Sequence, residues 1–317
     1  MTPFLLRRGG MMLVTLFVSS FVIYTAMYLA PGDPITALAG NRPLPPEAIA
    51  ALRARYHLDQ PFLQRYWEWL TGVLHGDLGY SITQHQSVTS LISGLFGTTL
   101  FLVVYAGLII VVIGIGLGIL GGLRRGVVDN GVILASTLSA AIPSFVAAII
   151  LLLVFAVDLQ WFPVSGIHMT SSFPNMLWHL TLPAWALAIA TLAVVARVTR
   201  TSVREEQRKE HVQTAVARGI PYHYVVRRHV LRNAAIPILT VSGLTIASLI
   251  AVSAVVERAF NVNGLGSALL NAANSGDIAV VQGISLILVF AFIITNTAVD
   301  VLYAVLDPRV TLGEKSV

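Results

Sequence analysis

The sequence predicts an all-α membrane protein: six transmembrane helices, with both termini on the inner side of the bilayer. Three observations carry this. Of 317 residues, 56% are hydrophobic and 11% are charged, where soluble domains carry roughly 25% charged residues. Six apolar segments lie near residues 11–30, 97–123, 131–157, 180–198, 234–256 and 279–303. Their interiors hold no Asp, Glu, Lys or Arg, with Asp300 close to the inner end of the last. The basic residues are also divided unequally between the two sides. With the N-terminus inside, the inner side holds Arg7 and Arg8, Arg124 and Arg125, nine residues from Arg197 to Arg232, and Arg309 with Lys315. The outer side holds Arg42, Arg53, Arg55, Arg65 and Arg258, so the division is fifteen to five. That is the positive-inside pattern. Helices are implied because runs this continuous do not suit barrel strands, which need about 10 alternating residues.

Taken in order, the first segment, Met11 to Ala30, is long enough for about 30 Å of helix and so for the hydrocarbon core. A cleavable leader has an apolar core of about 7–15 residues, so this reads as a retained span. Residues 31–96 form an outer insert too polar to cross. Within it PPEAIAALRARYHL reads as a helix starting near Pro45, with Ile49, Leu52 and Tyr56 at helical spacing. PFLQRYWEWLTGVL reads as a second helix whose aromatics suit a membrane interface, and HGDLGYS as a turn-prone connector. Pro143 kinks the third span. Two further outer segments, 158–179 and 257–278, are either plain connectors or gate and partner surfaces. The chain thus divides into 1–30, an outer helical insert at 31–96, a five-span core at 97–303 with an inner loop at about 199–233, and a tail at 304–317.

That inner loop contains HVQTAVARGIPYHYVVRRHVLRNA, residues 211–234. Helix formers over 203–217 end at Gly219, which can supply a left-handed stop. Pro221 suits the first position of a new helix. Tyr222, Val225, Val226 and Val230 then make one apolar stripe, with Arg227, Arg228 and Arg232 off it. The product is a helix–turn–helix knob. Its arginines either fix topology and touch lipid headgroups or dock the knob into a partner; only docking calls for a glycine stop, a proline start and a second amphipathic helix.

Composition excludes several classes. With no cysteine there is no disulfide, thiolate metal site or thiol nucleophile. The two lysines, Lys209 and Lys315, follow Arg and Glu, so the Gly-Lys-Ser/Thr of a phosphate-cradling loop is absent. No His-Glu-x-x-His run exists, and Ser165, near His168, has no base in view. The eight histidines all fall in loops or at span ends, and no charge sits mid-span as proton-coupled carriers require. An ion-coupled secondary carrier is the remote alternative. The net charge of +5 is a membrane-topology signal, and no nucleic-acid partner is expected. Intramembrane hydroxyls are candidates for a translocation path: Ser139 and Ser144 in the third span, Ser242, Thr245 and Ser248 in the fifth. The competing reading is hydrogen bonding to their own helices.

The loop also resembles a family motif. Permease subunits of binding-protein-dependent ABC importers carry Glu-Ala-Ala, three residues, Gly, nine residues, then Ile-x-Leu-Pro. Gln213-Thr214-Ala215 falls on the first part, Gly219 on the Gly, and His229-Val230-Leu231-Arg232 on the last. The departures resemble those of the first-permease type of oligopeptide/dipeptide systems, which favour the runs seen here as TAVARG and RHVLRNA. APGDP, GDLGYS, IPSF, WFPVSG, HLTLPAWAL, NGLG, VVQG and LDPRV follow in the family's order. Asn263 and Gly276-Asp277-Ile278-Ala279 depart from the family's Pro-Gly-Leu-Gly and Arg-Asp-Tyr-Pro.

The resemblance implies a multi-pass protein of the bacterial cytoplasmic membrane. Its partners would be a second homologous permease, two ATP-binding subunits that hold ATP and Mg, and an extracytoplasmic binding lipoprotein. The cargo would be di- or oligopeptides, with nickel or glutathione as alternatives. The chain itself would be no enzyme and hold no cofactor or metal. The loop would be a coupling helix, with Gln213, Thr214, Ala215, Gly219, Ile220, Pro221, Tyr222, Val225, Arg228 and His229 at the ATPase contact, and the outer insert would meet the binding protein.

Overall fold

The computed structural model describes residues 2–29, 45–47, 60–164 and 172–306. Most of the predicted helix near Pro45, together with Ser165, His168 and the C-terminal tail, lies outside them. Helix α1 is Thr2–Leu29 and α2 is Phe62–Leu74. A short antiparallel hairpin follows, β1 (Tyr80–Ser81) and β2 (Gln86–Ser87). The remaining helices are α3 (Val88–Leu123), α4 (Val127–Ala141), α5 (Ser144–Asp158), α6 (Phe173–Gln207), α7 (Glu210–Ala217), α8 (Tyr222–Ala259), α9 (Leu265–Ser275) and α10 (Ile278–Leu306). Among the described residues, α1, α3, α6, α8 and α10 are each long and apolar enough to span a bilayer. The pair α4–α5, taken as one broken span, makes six.

The predicted kink at Pro143 is a full break. The axes of α4 and α5 meet at 99°. Proline has no N–H to donate and its ring displaces the preceding turn; here Ile142 turns extended and Pro143 is the N-cap from which α5 starts at Ser144. Helix α3 begins nine residues before the predicted span, because the Ser87 hydroxyl accepts from the Ser90 N–H (3.2 Å) and caps it. Single π-helical turns interrupt α3 at Ile110–Gly114 and α8 at Val226–Val230, and a π-helical segment, Leu152–Asp158, ends α5.

Helix α6 is the central post. Of its most apolar stretch, 61% is buried inside the protein, against 11% for α1. Ala184, Ala186, Ala188, Ala193 and Ala196 are all fully buried, and small side chains let neighbouring backbones approach closely. The closest approach is to α3. Gly114, Gly118 and Gly122 recur every four residues and form one ridge. A Cβ on Gly114 would lie 3.3 Å from the Leu192 carbonyl, one on Gly118 would fall on Thr199, and one on Gly122 would lie 2.8 Å from Val203. The main core joins α3, α5, α6 and α8 through Leu102, Ile110, Ala148, Leu180, Leu187 and Leu249. Helix α6 has 35 residues and so runs about 50 Å, well beyond the roughly 30 Å hydrocarbon core. Its last turns therefore leave the core and carry Arg197, Arg200 and Arg204 to the arginine-rich end of the bundle.

Candidate functional site

The arginine-rich end is built on one acidic footing. Asp129, in the first turn of α4, is buried and receives Arg200 through Nε and through Nη2 (3.0 Å), and Arg204 through Nη1 at 2.9 Å. Arg204 also donates to the carbonyls of Gly121 (3.2 Å) and Arg124 (3.1 Å), and the Gln207 amide to that of Gly122 (3.1 Å). These are carbonyls at the end of α3 that have no partner within their own helix. Arg197 donates to the Ser136 carbonyl at 3.2 Å. The end of α6 thus ties α3 and α4 together.

The knob grows from this footing. The sequence predicts a helix over 203–217; the structure breaks it at Arg208 and Lys209, dividing α6 from α7. Helix α7 ends as a glycine stop demands. Gly219 has φ +76°, its N–H reaches the Val216 carbonyl (2.9 Å), and the Ile220 N–H reaches that of Ala215 (3.3 Å), a Schellman closure. Pro221 stands one residue before the position predicted for it, as the N-cap whose carbonyl accepts from Tyr224 (2.9 Å) and Val225 (3.1 Å).

Inside the knob, Val203, Val212, Ala215, Val225, Val230, Ala234 and Ile238 form a small core with Ile220 against it. Val225 and Val230 are fully buried, but Tyr222, predicted on the same stripe, is 56% exposed; it is the first residue of α8 and is not part of that core. One carboxylate locks the parts. Glu206, buried at the end of α6, accepts from Asn233 of α8 (Nδ2, 2.8 Å) and pairs with Lys209 and with His211 of α7 (Nε2, 3.2 Å).

The residues predicted for the coupling contact divide accordingly. Ala215 and Val225 are structural, and Ile220 and His229 half-buried. Gln213, Thr214, Gly219, Pro221, Tyr222 and Arg228 are exposed, as are Tyr224, Arg218, Arg227 and Arg232. Arg228 lies over the Tyr224 ring at 5.7 Å. The exposed face is therefore basic and aromatic on a rigid base.

The predicted path residues come from two regions that pack together, since α5 and α8 share the main core. Ser139 and Ser144 flank the α4–α5 break, whereas Ser242, Thr245 and Ser248 lie on α8. Ser248 donates to the Thr245 carbonyl (2.7 Å), the self-bonding alternative. Ser242 is buried with no hydrogen-bond partner. Among the described residues, no hydrogen bond joins the two sets.

At the opposite end two carboxyl groups escaped sequence reasoning. Glu257, placed by the sequence in a loop, is in the last turn of α8 and fully buried. It accepts from Thr99 Oγ1 (2.8 Å) and the Ser267 N–H (3.0 Å), while Thr99 Oγ1 accepts from the Leu265 N–H (2.8 Å). The first amides of α9 are thus capped by α8 and α3. A Cβ on Gly264 would sit 2.5 Å from that carboxyl, the physical content of the NGLG run. Asp277 accepts from Ser81 Oγ (2.7 Å), Thr83 N–H (3.1 Å) and Thr83 Oγ1 (2.8 Å), pinning the hairpin to the start of α10. The near-contiguous acidic, Gly and Ser/Thr residues were visible, but their partners lie up to 196 residues away.

The described fold is thus that of a membrane-embedded bundle of spans that carries a basic, aromatic knob at one end. The chain belongs to the family described as the binding-protein-dependent transport system inner membrane component, which matches residues 114–312, with the corresponding N-terminal family matching 1–103. It is thus a multi-pass inner-membrane protein. It is 34% identical over 332 residues to a di/tripeptide transport system permease of Pseudomonas aeruginosa, and 34% identical over 312 residues to an oligopeptide transport system permease of Salmonella typhimurium. Each alignment covers 98% of this chain and 99% of the relative.

Proposed function

We propose that this chain is the permease subunit of an ATP-driven importer that carries di- or oligopeptides, delivered by an extracytoplasmic binding protein, into the cytoplasm. A second homologous permease and two ATP-binding subunits complete the machine, and ATP with Mg is held by those subunits. The observation that carries this reading is the knob: a Schellman stop at Gly219, an apolar core beneath it, and Glu206 locking α6, α7 and α8. A stiff element of this kind can pass a partner's movement to the spans, whereas a loose loop would absorb it. ATP then needs only to favour one arrangement of the assembly over another. The relatives named for di/tripeptide and oligopeptide transport support the cargo.

The test is uptake in vesicles that hold the chain, its companion permease, both ATPases and the binding protein. Labelled di- and oligopeptides should accumulate with ATP and Mg, and accumulation should stop when either the ATPases or the binding protein are omitted. Uptake by this chain alone under a proton gradient would refute the reading. Preferential uptake of nickel or glutathione would keep the machine and correct the cargo.

A further inference from the structure

Helix α2 carries one continuous apolar arc, and only part of it meets protein. At 100° per residue, Phe62, Tyr66, Trp69 and Val73 fall together, with Leu63, Trp67, Leu70 and Leu74 beside them. Gln64, Arg65, Glu68 and Thr71 occupy the other side. Phe62, Tyr66 and Trp69 of the first group pack on α1, Trp69 through Tyr24 at 5.4 Å, and Val73 packs against the core joining Leu78, α3, α9 and α10. Phe62 meets Phe21, Tyr24 and Tyr28 at ring-centroid distances of 4.9–6.0 Å. Tyr66 meets Phe17, Phe21 and Tyr24 at 5.2–6.3 Å, and its hydroxyl shares a hydrogen bond of 2.9 Å with Ser20. Most of the second group is left uncovered: Leu63 is 60%, Trp67 52% and Leu74 77% exposed, while Leu70 is half-buried and Trp67 touches α1 through Phe17, at 6.2 Å.

The partners on α1 fix the depth of that uncovered stripe. Arg8 pairs with Asp300 of α10 at 2.7 Å, both partly exposed, which marks the arginine-rich surface of the bundle. At 1.5 Å per residue, Phe17 then stands about 14 Å above that surface and Tyr28 about 30 Å, roughly the full hydrocarbon thickness. Every α1 residue that α2 touches through its rings lies between those heights. Phe17, Phe21 and Tyr28 themselves keep exposed apolar surface on the same flank.

We propose that α2 lies in the leaflet opposite the arginine-rich end, with Leu63, Trp67, Leu70 and Leu74 facing acyl chains and the Gln64–Glu68–Thr71 side turned away from them. Water at that depth would leave both the α2 stripe and the α1 flank unfavourably solvated, and lipid relieves both at once. The insert is then anchored in the membrane along α1, so a binding protein would meet other parts of it.

The absence of cysteine makes the test direct. Single substitutions Leu63→Cys, Trp67→Cys, Leu74→Cys, Gln64→Cys and Glu68→Cys are spin-labelled in the full chain, reconstituted in phosphatidylethanolamine/phosphatidylglycerol vesicles. Collisions with oxygen, which concentrates in lipid, are compared with collisions with a water-soluble nickel chelate. At 63, 67 and 74 oxygen should dominate, with the order reversed at 64 and 68. Nickel-chelate dominance at 63 and 74 would overturn the proposal, as would low access to both reagents, which would mean that protein covers the stripe. The two leucine sites check each other, so misfolding of the Trp67 variant leaves the test intact.

Discussion

Glu257 shows what one side chain does in this fold. Its carboxyl serves Thr99 and the α9 amide of Ser267 while fully buried. Removing an acceptor leaves buried donors unpaired, at about 1–3 kcal/mol each. Glu257→Ala should therefore lower the thermal midpoint of the detergent-purified chain clearly. Glu257→Gln, which keeps one carbonyl acceptor, should fall between that variant and the unchanged protein. Equal midpoints for all three would remove Glu257 from any role in holding α9. Gly219 is the opposite case. A Cβ there would meet nothing within 4 Å, so the position is demanding through its backbone alone: the left-handed region disfavours L residues by roughly 1–2 kcal/mol, with Asn an accepted exception.

Between elements, the decisive contact is the α3–α6 ridge. Gly118→Leu would drive a side chain into Thr199 and the Ala196 carbonyl, whereas Gly116, on the same helix, has open space. Overpacking of a tight contact costs typically 1–3 kcal/mol. Gly118→Leu should lose membrane-inserted, monodisperse protein by size-exclusion chromatography, while Gly116→Ala should match the parent; equal yields of all three would show that the ridge is not a tight contact.

The spans were legible because apolar length and the placement of arginine are local signals. The knob's Gly219 and Pro221 were legible for the same reason: stops and starts are written in single residues. The α3–α6 glycines were in plain view as GIGLGILGGL, but which face they lie on depends on a partner helix some eighty residues later. Asp129 and Glu206 were hidden similarly, since a buried carboxylate is explained by the arginines or asparagine that fold onto it. Tyr222 misled because a stripe at helical spacing does not say where the core beneath it ends.

The whole molecule is joined by a chain of buried attachments. Asp129 joins α4 to the end of α6, the α6 arginines and Gln207 hold α3, and Glu206 holds α7 and the start of α8. A push on the exposed basic, aromatic tip would therefore reach α3, α4, α6 and α8 together. The most direct test replaces Gly219 in the assembled, reconstituted transporter and measures peptide uptake and ATP hydrolysis side by side. Gly219→Val should insert normally and keep hydrolysis but lose uptake about tenfold or more, a barrier of roughly 1.4 kcal/mol or greater, with Gly219→Asn near the parent in both. Uptake by Gly219→Val at the parent's rate per ATP hydrolysed would contradict the account.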